Sequence, residues 1–147
     1  MEFPYIVLPG DSSSTPRPLV PVRFIYKNKQ THPILSLIDS GADYSFATLK
    51  IASYLGVNFR NVKSVPITGF NQSTLRCFPI KITIGVANFN LELPVYFGGS
   101  LTQEYPCILG QDVLFDKAKI IFERYKGSFR IEWREEKKPS KSRDERK

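Results

Sequence analysis

The sequence predicts a mostly β protein, and three observations lead there. Eleven Phe, seven Tyr and eleven Pro among 147 residues favour strands and turns over a helical bundle. Ile80, Ile82 and Ile84 alternate with Lys81 and Thr83, the two-residue period of a strand with one buried face. The short polar stretches KNKQ, Ala87-Asn88 and Lys126-Gly127 each separate two apolar runs, as hairpin turns do. A chain of this length holds one core and is too short for two.

Taken in order, Glu2 to Pro9 is apolar but bracketed by Pro4 and Pro9, which suits an edge strand. Asp11 to Pro18 is a loop by composition. LVPVRFIY (Leu19 to Tyr26) and THPILSLI (Thr31 to Ile38) form a hairpin whose second strand delivers the chain to Asp39. In YSFATLKIASYLG the period changes: Phe46, Leu49, Ile51 or Ala52 and Leu55 stand at helical spacing, and Gly56 is placed to end the helix. Asp39 is thereby expected in a strand-to-helix turn. Strands return with VKSVPIT, a turn at Gly69-Phe70-Asn71 and STLRCFPIKITIG as a second hairpin, followed by FNLELPVYF. After a Gly-containing loop, CILGQDVLF reads as a three-residue strand ending at Gly110 and turning into a short helix. AKIIFERY and SFRIEW close the fold as a hairpin with Ile120, Phe122 and Ile131 inward. Beyond Trp133 the tail has no apolar content and is expected to be disordered.

Charge and sulfur narrow the function classes. The formal charge is +7, but Arg134 to Lys147 carries seven basic and four acidic residues, leaving 14 basic against 10 acidic, only +4, elsewhere. Those basic residues are scattered, without a Lys/Arg cluster interleaved with aromatics, which argues against a nucleic-acid surface. One His and two Cys are too few ligands for a metal site, and no cofactor is called for. Two cysteines are no secreted disulfide framework, the N-terminus has no basic leader, and no segment has the length of a membrane span. A cytoplasmic protein with reduced thiols, Cys77 and Cys107 in the core and His32 at the surface, is the expectation.

The chemistry concentrates where two apolar strands run into Gly-containing turns, LIDSGAD (Leu37 to Asp43) and ILGQD (Ile108 to Asp112). An Asp at the end of a buried strand is costly unless something satisfies it. Asp39-Ser40-Gly41-Ala42 behind a hydrophobic strand, the Gly-tipped hairpin at Ile67-Thr68-Gly69-Phe70 and Ile108-Leu109-Gly110 some seventy residues on form a specific set. Over roughly Leu19 to Trp133 the chain resembles the retroviral-type aspartic proteases, the retropepsins, and most closely their small single-domain bacterial members.

That resemblance implies a single-lobe β-barrel with one or two short helices, working as a C2 homodimer. It implies that Asp39 is the catalytic acid, supported by Ser40, Gly41 and Ala42. Asp43 would help to hold the substrate backbone or the dimer, and Ile67, Gly69 and Phe70 would lie in a flap over a protein or peptide substrate. It divides the chain into 1–18, a terminal strand and loop offering a dimer contact, 19–133, the protease domain, and 134–147, the charged tail.

Peptide hydrolysis by carboxylates needs two of them within about 3 Å, sharing a proton. The chain has one Asp-Ser-Gly, and the surroundings of Asp11 and Asp112 do not repeat it, so the second acid is expected from another copy. Gln111 stands where the family commonly has Arg, and a neutral Gln cannot make a bidentate ion pair with an acid such as Asp43. Two other classes compete with a homodimeric endopeptidase. One is a catalytically silent peptide-binding or dimerisation module on the same fold, which has no need of a retained Asp-Ser-Gly-Ala; the other, a nucleic-acid adaptor, rests on charge alone.

Overall fold

The computed structural model describes residues 1–10, 13–68, 73–99 and 105–135. In chain order its elements are β1 (Glu2–Pro4), β2 (Leu19–Tyr26), β3 (Lys29–Gln30), β4 (Ile34–Ile38), β5 (Ser45–Thr48), α1 (Leu49–Leu55), β6 (Val65–Thr68) and β7 (Thr74–Val86). They continue with β8 (Phe89–Gly98), β9 (Cys107–Leu109), α2 (Leu114–Lys117), β10 (Ala118–Glu123), a 3₁₀ turn at Arg124–Lys126 and β11 (Ser128–Trp133).

The strands β2, β4, β9, β5, β8 and β7 neighbour one another in that order, and β2 also pairs with β7, so six strands close into a barrel. Closure leaves these strands no free edge. Two pairs, β4 with β9 and β5 with β8, are parallel, which brings residues far apart in sequence side by side. The short β3 extends the barrel beside β2, and β6 pairs with the first part of the long β7. A separate sheet, β1-β11-β10, packs the chain's two ends together.

Alternation decides which side chains fill the barrel. Val20, Val22 and Phe24 from β2, Ile82 and Ile84 from β7, and Leu93, Val95 and Phe97 from β8 are all buried. Their cluster continues through Leu109 and Leu114 to Phe129 and Ile131, so the terminal sheet shares the core. Phe3 stacks on Phe129 at 5.4 Å within that sheet, and Phe89 of β8 stacks on Trp133 of β11 at 4.0 Å, fixing the sheet to the barrel with aromatic area. Helix α1 ends as its sequence predicts: Gly56 takes φ +71°, and the Val57 N–H donates to the Ala52 carbonyl at 3.0 Å. Among the described residues no helix is long and apolar enough to cross a membrane.

Three expectations need correction. Ser45–Thr48 is a strand, not the first turn of the helix, because it lies between β8 and β9 and both supply it with backbone partners. Its residues alternate buried and half-exposed, so sheet context overrides the helical spacing of Phe46 and Leu49. The N-terminal strand shrinks to Glu2–Pro4, with one further bond from the Tyr5 N–H to the Gly127 carbonyl at 2.9 Å and a bridge from Ile6 to Arg17, since its partner β11 begins at Ser128 and turns away at Gly127. Phe122 is 39% exposed rather than inward, as it lies on β10 at the edge of the three-stranded sheet, while its partner Phe129 is buried under Phe3 and Tyr5. The turn at 69–71, most of the loop after Gly99 and the tail beyond 135 lie outside the described residues.

Candidate active site

Asp39 follows directly on β4, and the turn after it joins one strand to another. Its N–H donates to the Leu109 carbonyl at 2.9 Å, carrying the β4–β9 pairing one residue past the strand end. The carboxylate is half-buried, with Ser40 and Gly41 exposed beside it. Its Oδ1 accepts the Gly41 N–H at 2.9 Å, and its carbonyl accepts the Ala42 N–H at 3.2 Å. The acid is thus tied to the start of its own loop. A Cβ on Gly41 would stand 3.2 Å from that same Oδ1, close enough to press on the carboxylate.

The segment after β9 laces the rest of the loop. The Gln111 N–H donates to the Ala42 carbonyl and the Asp112 N–H to the Asp43 carbonyl, both at 2.8 Å. The Gly110 N–H donates to the buried Ser45 hydroxyl oxygen at 3.1 Å, and the Gln111 side-chain amide donates to the Ser40 carbonyl. Gly110 is required for space: a Cβ there would collide with the Tyr44 carbonyl oxygen and stand 2.7 Å from that of Ala42. So the strand bearing Asp39 and the strand ending at Gly110 run parallel, and one supplies the acid while the other supplies room and donors.

A row of half-exposed apolar side chains starts two residues before Asp39. Leu37 pairs with Ile108, Ile108 with Phe46 and Phe46 with Tyr96, on the barrel face opposite the core. Tyr44 and Phe46 pack against Tyr96 at 4.8 and 5.9 Å. Burial pushes the Tyr96 hydroxyl above its ordinary value, with Tyr44 and Asp112 adding to the effect. A small open groove beside this row is lined by Phe46, Thr48, Gly99, Tyr105, Pro106 and Ile108.

Of the residues singled out in sequence, Asp39, Ser40, Gly41, Ala42 and Asp43 therefore share one laced loop. Ile67 is half-buried on β6, opposite Leu75 of β7, and Gly69 and Phe70 lie outside the described residues. Both cysteines are buried and free, and burial pushes the Cys107 thiol up to about 12. Sequence reasoning missed Ser45 and the side-chain role of Gln111. A polar residue opening the apolar run after Tyr44 was the available signal for the first. For the second there was none, because its partner is a backbone carbonyl.

No protein-family model matches the chain, and no curated protein matches it in sequence. Solved structures do match. EIAV protease, in a complex with the inhibitor HBY-793, aligns at a TM-score of 0.53 and 25% identity over 68% of this chain and 86% of that one. A retropepsin-like aspartic protease from Rickettsia conorii aligns at 0.59 and 14% identity, over 90% and 91%. With the barrel, the Asp39 loop and the Gly110 crossing in place, the chain has a retropepsin-like fold.

Proposed function

We propose that the protein is an aspartic endopeptidase whose active site is completed by a second copy of the chain. The observation that carries this reading is the single Asp39 carboxylate, held by Gly41 at the open side of a laced loop, on a fold shared with solved aspartic proteases. A half-exposed acid with one backbone donor lacks what the chemistry needs, a second carboxyl close by to share a proton. A two-fold axis beside Asp39 brings its twin there, and the two then titrate as a pair.

In such a pair the ionised carboxylate takes a proton from a water, whose oxygen adds to the peptide carbonyl carbon, while the protonated carboxyl donates to the carbonyl oxygen. The tetrahedral diol collapses with cleavage of the C–N bond as the leaving nitrogen takes up a proton. No covalent enzyme intermediate forms. Ser40, Gly41 and Ala42 hold the acid, and Asp43 is assigned to the substrate backbone or the dimer contact. Ile67, with Gly69 and Phe70 of the same hairpin, is assigned to covering the substrate, whose apolar side chains lie along Ile108, Phe46 and Tyr96. The buried free thiols support a reducing, cytoplasmic setting.

Cleavage of fluorescein-labelled unfolded casein between about pH 4 and 7 tests the proposal. Asp39→Asn is expected to lower the rate by at least about 10²-fold, the scale of a lost general acid–base group. Specific activity is expected to fall on dilution and a statine-type transition-state mimic to inhibit. Wild-type rates from Asp39→Asn protein, or turnover independent of enzyme concentration down to a monomeric species, would overturn it.

A further inference from the structure

The two hydrogen bonds nearest the Asp39 carboxylate pass through one peptide group. The peptide joining Ser40 to Gly41 gives its N–H to Asp39 Oδ1 at 2.9 Å, and its carbonyl oxygen receives the Gln111 side-chain amide. A peptide whose oxygen accepts a hydrogen bond is more strongly polarised, and its N–H becomes a better donor. The three groups therefore form a chain from Gln111 Nε2 through the Ser40–Gly41 peptide to the carboxylate.

Among the described residues, the loop's other ties leave this peptide's orientation to Gln111. The backbone bonds to Leu109, Gln111 and Asp112 engage Asp39 N–H, the Ala42 carbonyl and the Asp43 carbonyl, on either side of it. Gly41, without a Cβ, offers little resistance to a peptide flip. A flip would turn the Gly41 N–H away from Oδ1 and aim a carbonyl oxygen at the acid.

We infer that Gln111 is a positioning residue: its amide locks the Ser40–Gly41 peptide so that the Gly41 N–H stays on Asp39. This inference rests on the proposed catalytic role of Asp39. A neutral amide suits the task, because it adds no net charge next to a carboxylate, whereas Lys or Arg would supply the donor together with a cation. Gln111 is exposed, so exchanging it leaves the core intact.

The test uses Gln111→Met and Gln111→Glu beside Asp39→Asn, all at an enzyme concentration where wild type is fully assembled. With labelled unfolded casein, Gln111→Met is expected to lower kcat about five- to tenfold at unchanged KM, the scale of one lost hydrogen bond. The activity of Gln111→Glu relative to wild type is expected to be highest at about pH 4 and to fall towards pH 7, since only a protonated carboxyl can donate to the Ser40 carbonyl. In ¹H–¹⁵N spectra the Gly41 amide proton of Gln111→Met is expected to move upfield as its bond to Asp39 weakens, whatever the substrate. An unmoved Gly41 resonance, or a raised KM at unchanged kcat, would overturn the inference while leaving Asp39 in its role. Wild-type activity in Asp39→Asn would remove the proposed function and this inference with it.

Discussion

The loop after Asp39 and the hairpin of β6 and β7 are held in opposite ways. Backbone bonds to Leu109, Gln111 and Asp112 and the buried bond to Ser45 cross-link the loop to the segment after β9. Among the described residues the strand β6 has a single neighbour, β7. Besides that pairing, the hairpin is tied at its base by Arg76, whose Nε donates to the Ser64 hydroxyl at 2.8 Å and whose guanidinium also reaches the Ser64 carbonyl at 3.2 Å, both exposed to water. Local stability follows burial and hydrogen-bond partners, so the loop is expected to open only with the barrel and the paired strands β6 and β7 to separate on their own. In the proposed protease this division places rigidity at the acid and freedom where substrate must enter.

The comparison breaks most severely at Gly110. Gly110→Ala forces a methyl against the Tyr44 and Ala42 carbonyls, neither of which can move without unlacing the loop. A loss of about 3 kcal/mol is expected in urea unfolding. A variant as stable as wild type would show that the crossing has slack.

The two cysteines sharpen the contrast, because each sits in one region. Cys107 lies in β9, opposite Ala47, and Cys77 lies in β7, opposite Val65 at the root of the hairpin. Burial raises both thiols above their ordinary value, that of Cys107 to about 12 despite an opposing bond to Ser36. Native-state labelling with a maleimide is therefore expected to be slow at both and faster at Cys77, which hairpin opening uncovers. The sign of the pH effect follows from the same shift: above about 9 the unfolded thiol loses its proton while the folded Cys107 keeps its own. Stability is thus expected to fall as pH rises from about 9 towards 12, and less steeply in Cys107→Ala.

The mildest test pairs two single hydrogen bonds. Ser45→Ala leaves the buried Gly110 N–H without its partner and is expected to cost about 2 kcal/mol. Arg76→Ala removes exposed bonds and is expected to cost about 0.5 kcal/mol, with faster amide exchange confined to β6 and the start of β7. Equal costs would erase the distinction drawn between the regions.

Much of this was legible in the sequence where local pattern and tertiary context agree. The alternation of Ile80, Ile82 and Ile84 became the central stretch of β7, and Gly56 ended α1 in the left-handed conformation. Asp39-Ser40-Gly41-Ala42 and Ile108-Leu109-Gly110 were read as a pair seventy residues apart, and the parallel pairing of β4 with β9 joins them. The failures came where partners outside the segment decide. Ser45–Thr48 is a strand because β8 and β9 flank it, and Phe122 is exposed because, among the described residues, no further strand covers β10. Gln111 was read by what its side chain lacks, a charge, and its contact with a backbone carbonyl leaves no trace in residue type.

The lacing of the Asp39 loop also sets an order of events during synthesis. The amide that reaches the Ser40 carbonyl comes from a residue 71 positions later, and the strand that runs beside β4 is made after β8. A chain still emerging from the ribosome has its acid long before it has the residues that fix it. In the proposed protease the nascent chain is therefore expected to stay inactive until β9 and Gln111 have been made, an order that the topology of the barrel sets.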